Sequence, residues 1–274
     1  MAHLRQGRVA QRPDDSALSG RTADAVRPGG QAAITLNHVT KSFDNRKVLD
    51  EVTLEVEEGS AFCLLGRSGT GKSVTLKHII GLMRPDSGQV LVGGKDVASL
   101  SGRELSDVRR SMGFLFQNAA LFDSISVGEN VAFPLRRHTD WSDAKIRDTA
   151  RARLADVGLE ADYDKMPADL SGGMKKRAGL ARAMVLDPKI LLVDEPSAGL
   201  DPITAREIDD LLVDLKKKGA TIVVVTHNIP SARHIGDELA MLHEGRLVAR
   251  GTAEELDKSD DPLVRAFMRS EGAG

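Results

Sequence analysis

The sequence predicts an α/β fold in which a mostly parallel sheet is covered by helices on both faces. Residues 61–65, 190–193 and 221–225 are short, uninterrupted apolar runs separated by helical stretches, as strands buried on both faces are. Residues 34–56 instead alternate apolar and polar side chains, which suits an antiparallel pair half exposed to solvent. A mostly helical stretch, roughly 118–187, interrupts the α/β order and reads as an inserted subdomain.

Each element has a local reason. Ile34, Leu36 and Val39, then Val52, Leu54 and Val56, supply the buried faces of the antiparallel pair. The apolar run 61–65 leads into GRSGTGKS at 66–73, and residues 73–83 place Leu76, Ile79, Ile80 and Met83 at helical spacing. Pro85-Asp86-Ser87-Gly88 is a turn before a short strand at 89–92. Ser101 with Glu104, and Ser126 with Glu129, match capping boxes at two helix starts, and a strand at 112–116 between them ends at Gln117. Residues 141–157 form a charged amphipathic helix closed by Gly158, and a second helix runs from about 171 to 186. After the strand at 190–193, Asp201-Pro202 opens a helix that closes at Lys218-Gly219, before the strand at 221–225. Segments 238–243 and 246–250 flank Glu244-Gly245 as a hairpin, and two short helices start near Thr252 and Asp261. No internal repeat is present.

Composition narrows the function. The chain has 274 residues, 41% of them apolar, enough for a sizeable core, and a formal charge of −2. Acidic and basic residues are interspersed, so there is no clustered basic face for nucleic acid. The single cysteine, Cys63, lies inside an apolar strand, which makes it a small buried residue in a reducing compartment. No run approaches the roughly twenty apolar residues of a membrane span. Membrane contact is therefore expected only through partners. Residues 1–31, rich in Arg, Asp, Gly and Gln, carry too few large apolar side chains to bury and read as a disordered tail.

The chemistry is concentrated at strand ends. Gly66, Gly69 and Gly71 leave loop amides free to face phosphates, Lys72 adds positive charge near the β and γ phosphates, and the Ser73 hydroxyl suits Mg²⁺. A strand before this loop and a helix after it bring the phosphates to a helix N-terminus. Asp194 and Glu195 close a buried strand at its C-terminal end, where ligands sit in parallel sheets. Asp194 can bind Mg²⁺ through water, and Glu195 is placed to orient the water attacking the γ-phosphate. His227 follows the strand TIVVVT at the same edge, beside the γ-phosphate or the attacking water. Gln117 ends another strand and can hold both Mg²⁺ and water. LSGGM at 170–174 supplies a second phosphate-binding helix N-terminus in the same chain.

Together these motifs resemble the ATP-binding subunit of an ABC transporter over about residues 33–250. The resemblance implies a P-loop NTPase fold of ABC ATPase type: a RecA-like core with an antiparallel β subdomain and an inserted α-helical subdomain. It makes GRSGTGKS the Walker A loop, Gln117 the Q-loop, LSGGM the signature, ILLVDE at 190–195 the Walker B strand, SAGLD at 197–201 the D-loop and His227 the switch histidine. Glu195, His227, Gln117 and Lys72 would be catalytic, and Ser73, Gln117 and Asp194 would hold Mg²⁺. ATP would be bound by Phe43, Gly66, Arg67, Ser68, Gly69, Thr70, Gly71, Lys72, Ser73 and Val74 of one chain, with Ser171, Gly172 and Gly173 of a second. Phe43 stands where the family usually has Tyr, which keeps the π face for adenine and loses only a hydroxyl. Met174 replaces the usual Gln of the signature without touching its phosphate contacts. The working unit implied is a homodimer with two ATP sites.

Particular segments bring the chain closer to one branch. SMGFLFQNAALFDSISVGENVAFPLRRH at 111–138, LSGGMKKRAGLARA at 170–183, DEPSAGLDPIT at 194–204 and DPLVRAFMRS at 261–270 are similar to the ATPases paired with Mce proteins, the Mla-type lipid transporters. This implies phospholipid transport powered from the cytoplasmic face of the bacterial inner membrane. The implied partners are a separate permease, an Mce-domain substrate-binding protein and, for some members, a STAS-domain regulatory subunit docked on the helical subdomain. An importer of a small polar solute is the alternative. A non-transport ABC protein acting on DNA or ribosomes would bring coiled coils, zinc motifs or two fused cassettes, which this chain lacks; an isolated kinase or GTPase loop leaves LSGG and His227 unexplained. The expected division is a tail at 1–32, the ATPase domain at 33–251 with its helical insert at about 118–187, and a short helical extension at 252–274.

Overall fold

The computed structural model describes residues 31–270; the expected N-terminal tail falls almost wholly outside them. The chain begins with β1 (Ala32–Phe43), β2 (Arg46–Glu57) and β3 (Ala61–Leu65), then α1 (Lys72–Ile79), β4 (Ser87–Val92), β5 (Lys95–Asp96), α2 (Gly102–Arg110) and β6 (Met112–Leu115). A wholly helical stretch follows: α3 (Val127–His138), α4 (Asp143–Asp156), two 3-10 turns and α5 (Gly172–Met184). The α/β order resumes with β7 (Ile190–Asp194), α6 (Pro202–Lys217), β8 (Thr221–Thr226), α7 (Ile229–Ile235), β9 (Glu238–His243), β10 (Arg246–Gly251), α8 (Ala253–Asp257) and α9 (Pro262–Arg269).

Two sheets form the frame. One is antiparallel with order β2-β1-β4-β5; the other has order β10-β9-β3-β8-β7-β6, parallel throughout except for β10. All five residues of β3, all five of β7 and all six of β8 are buried, which is why they read as uninterrupted apolar runs. Their side chains nevertheless alternate between two cores. Ala61, Cys63 and Leu65 join Leu191, Val193, Ile222 and Val224 against the helical side, together with α5, α7 and α9. Phe62 and Leu64 join Leu192, Val223 and Val225 against α1 and the antiparallel sheet. Each fully buried aliphatic side chain contributes roughly 1.5–3 kcal/mol, against about 1 kcal/mol for a helix cap, so these cores rather than the caps hold the frame.

Several local expectations are corrected. The helix expected over 73–83 ends at Ile79, because Gly81 at φ 70° turns the chain and leaves Leu82 exposed. Ser101 makes no side-chain cap, since Gly102 enters the helix at φ 52°. Ser126 accepts from the Glu129 amide at 3.2 Å, but the Glu129 carboxylate turns to Arg136, so only half of that box forms. The complete box is at Thr252 and Glu255. The strand expected at 112–116 stops at Leu115. Helix α7 was not expected; Asn228 caps it by accepting from the Ser231 amide. The antiparallel strands are longer than their alternation suggests, because bulges at His38 (φ 47°) and Glu51 (φ 53°) interrupt the period.

Candidate functional site

The C-terminal ends of β3, β7 and β8 lie side by side, with Leu65 paired to Thr226 and Asp194 to Val225. The residues that follow these strands therefore share one edge of the sheet. Between β3 and α1 the glycine-rich loop folds tightly. A Cβ on Gly66 would sit 2.5 Å from the Leu242 carbonyl oxygen, and one on Gly71 (φ 107°) 2.7 Å from that of Val48, so both positions exclude side chains. Gly71 is the N-cap of α1, supplies no side-chain cap, and no acidic residue sits in the first turn. The first amides of α1 are thus left for an anion, and the loop fits a phosphate.

Lys72 is buried. Its Nζ donates to the carbonyls of Gly66 (2.7 Å) and Arg67 (3.1 Å) and lies 3.3 Å from Glu195 Oε1. A phosphate oxygen therefore competes with Glu195 for this ammonium. The Ser73 hydroxyl donates to Asp194 Oδ1 at 2.9 Å. Burial pushes the Asp194 carboxyl above its usual range and neighbouring Glu195 adds to this, while the Ser73 hydrogen bond opposes it. A hydroxyl and a carboxylate converging on one point are hard oxygen donors, and they fit Mg²⁺, which takes one or two protein oxygens and keeps water and phosphate for the rest.

Glu195 is held on every side. Its backbone sits at φ 47°, its amide donates to Val225 O at 2.9 Å, and its Oε2 accepts from Thr226 Oγ1 at 3.1 Å. His227 Nδ1 lies 3.0 Å from the same oxygen. An ionised carboxylate can only accept, so Nδ1 carries the hydrogen of this contact. Thr226 was missed from the sequence, although it directly precedes His227.

Other expected residues stand further out. Val74 is on α1, partly buried, and Gln117 is exposed two residues beyond β6, with no hydrogen bond to Ser73 or Asp194 among the described residues. Arg67 and Ser68 are exposed; with Gly69 and Thr70 they line a cavity of about 400 Å³ whose other walls are Arg46, Lys47, Val48, His243, Glu244 and Gly245. Nothing in the sequence pattern pointed to the latter six. Phe43 closes β1 opposite Arg46, one of these walls, and is 40% exposed. Ser171 caps α5 by accepting from the Met174 amide at 3.3 Å, and Gly173 packs on α6, where a Cβ would meet Thr204 Cγ2 at 2.3 Å. Among the described residues no hydrogen bond joins 171–173 to the glycine-rich loop. Cys63 is fully buried and its thiol is pushed up to about 12 by burial, which makes it inert. Among the described residues no helix is long and apolar enough to cross a membrane.

Comparisons with known proteins place this geometry. The family model for ABC transporter matches residues 49–198, more than half of the chain. The chain is 46% identical to the probable ribonucleotide transport ATP-binding protein mkl of Mycobacterium tuberculosis, over 88% of this chain and 68% of that protein. It is 39% identical to the intermembrane phospholipid transport system ATP-binding protein MlaF of Haemophilus influenzae, over 89% and 93%. Among solved structures, a dimeric post-hydrolysis ATP-binding cassette bound to ADP and Pi superposes with TM-score 0.75 at 33% identity, covering 80% of this chain and 98% of the other. CbiO1 of Clostridium perfringens, part of an ABC transporter complex, gives 0.76 at 29% identity, covering 87% and 95%.

Proposed function

The chain belongs to the ABC transporter family as an ATP-binding, ATP-hydrolysing subunit, and on that premise we propose that it powers phospholipid transport across the bacterial envelope. The observation that carries the substrate class is the match to MlaF, which extends over nearly the whole of both chains. Its partners in this reading are a separate permease, an Mce-domain protein and a STAS-domain regulator, with the subunit peripheral at the cytoplasmic face of the inner membrane. Residues 33–251 form the ATPase domain, residues 252–274 an extension.

Within the site, Gly66 to Val74 cradle the phosphates of ATP and Phe43 stacks on its adenine. Ser73, Asp194 and Gln117 would hold Mg²⁺, which would supply positive charge against the phosphates. Lys72 exchanges Glu195 for phosphate oxygens, which frees the carboxylate to orient water. The water oxygen then bonds to the γ-phosphorus as the bond to the β-phosphate oxygen breaks, giving ADP and phosphate, while Glu195 accepts the water proton. His227 fixes Glu195 through Nδ1 and presents Nε2 to the γ-phosphate side. Ser171, Gly172 and Gly173 serve the nucleotide of the partner subunit. This is supported by the absence, among the described residues, of any hydrogen bond from 171–173 to the loop of their own chain, and by the dimeric state of the solved cassettes.

Import of a small polar solute is the second reading, and the name of the mycobacterial relative favours it. Purifying the transporter from native membranes separates the two. Co-purification of an Mce protein and phospholipid is expected; a soluble solute-binding protein in their place overturns the lipid reading.

A further inference from the structure

Helix α5, which starts at the glycine pair, carries a buried lysine that none of these roles uses. Lys176 lies four residues after Gly172, is 5% exposed, and donates from Nζ to the main-chain oxygen of Glu195 at 2.8 Å. Burial pulls its ammonium down to about 8, against the opposing attraction of Asp194 and Glu195. A buried charge with a carbonyl as its hydrogen-bond partner is a costly way to fill a core position, and an apolar side chain of the same size would fill it more cheaply.

Glu195 supplies the reason for the cost. Its left-handed backbone is strained by roughly 1–2 kcal/mol for a residue with a Cβ, and such strain persists only where the surroundings over-determine it. The amide is held by β8, the carboxylate by Thr226, His227 and Lys72, and the carbonyl by Lys176. Of these restraints only the last comes from the helix whose first turn is Gly172 and Gly173. Gly173 packs against Thr204 without space for a methyl group, and Gly172 and Lys176 stand one helical turn apart, so the 171–173 end and Lys176 are joined through the backbone of one turn of α5.

We propose that Lys176 is a positioning residue that ties the catalytic carboxylate of Glu195 to the 171–173 end of its own helix, so that each subunit's Glu195 responds to the nucleotide held by the other subunit. This rests on the dimeric reading given above. A nucleotide that draws on the α5 N-terminus displaces Nζ, Nζ carries the Glu195 carbonyl, and the change in backbone angle re-aims the carboxylate at water.

The test uses the full-length chain in its intact transporter complex, with ATP hydrolysis and binding of a non-hydrolysable ATP analogue measured side by side. Lys176→Met is expected to lower kcat about ten- to a hundredfold with analogue affinity unchanged, and to bring the Hill coefficient for ATP to 1. Lys176→Arg, which still donates a charged hydrogen bond, keeps more of the rate. Adding Lys176→Met to Glu195→Gln lowers the residual rate no further. Full kcat in Lys176→Met, a loss of affinity that accounts for the loss of rate, or additive effects in the double variant would each overturn the proposal. If Lys176→Met does not assemble, Lys176→Gln, too short to reach the carbonyl, is judged by the same criteria. Failure of the dimeric reading shows separately, as undiminished hydrolysis by Ser171→Arg in the same assay.

Discussion

Glu195 and Lys72 face each other at 3.3 Å, and the proposed mechanism needs each of them elsewhere when ATP is bound. Glu195→Gln removes the charge that competes with phosphate for Lys72 and also the group that accepts the water proton. Hydrolysis is expected to fall by about 10²–10⁴ while ATP affinity holds or rises, as equilibrium binding alongside phosphate release will read. Near-normal turnover would remove Glu195 from its role. Asp194 answers to pH. Its folded pKa lies above the unfolded one, so the native chain takes up the proton more readily; the stability this contributes is present at acid pH and lost as pH rises through the folded pKa. At neutral pH the buried carboxylate is a burden, which the proposed Mg²⁺ role would offset. Asp194→Asn should therefore melt higher than the parent at pH 7, the gain shrinking on acidification, while Mg²⁺-dependent hydrolysis is lost. A lower melting temperature at pH 7 would contradict the burial argument.

At the scale of elements, the glycine-rich turn is a joint between two sheets. Gly71 abuts β2 at Val48 and Leu49, and Gly245 in the β9–β10 turn abuts the same Val48 carbonyl. Gly71→Ala would force these segments apart at φ 107° and is expected to cost about 1–3 kcal/mol, with ATP affinity falling in parallel. Gly69→Ala, with open space around it but φ 79°, should cost only about 1 kcal/mol. Thermal melts and nucleotide titrations of the two variants give the comparison. The turn was legible because glycine spacing and flanking strand and helix are local features. The buried strands were legible for the same reason, each being a contiguous apolar run. What was hidden depends on contacts between distant segments. Helix α7 is about two turns whose buried residues face α6 and β3, too short for a periodic pattern. The bulges at His38 and Glu51 arise from pairing register, and Ser101 loses its cap to the conformation of Gly102. Lys176 was invisible because a lysine within KKR reads as a solvated helix face, and only the tertiary approach of α5 to Glu195, just beyond β7, buries it.

For the whole molecule, the two halves of the proposed site lie in different copies. Mixing Lys72→Ala chains with Ser171→Arg chains tests this without any structure: in the mixed dimer one site carries both lesions and the other carries none. Hydrolysis above that of either variant alone is expected, and its absence on verified mixed dimers would argue against two chains sharing each site. The central sheet sets a second, quieter rule. Because β3, β7 and β8 send alternate side chains into separate cores, Cys63 and Phe62 are neighbours in sequence and strangers in packing. Substitutions behind opposite faces should then combine additively, while pairs behind one face should not. Drift among the helices on one side of that wall can accumulate without a compensating change behind the other face, so, in the proposed reading, the sheet would let one lineage change its partners and keep its fuel.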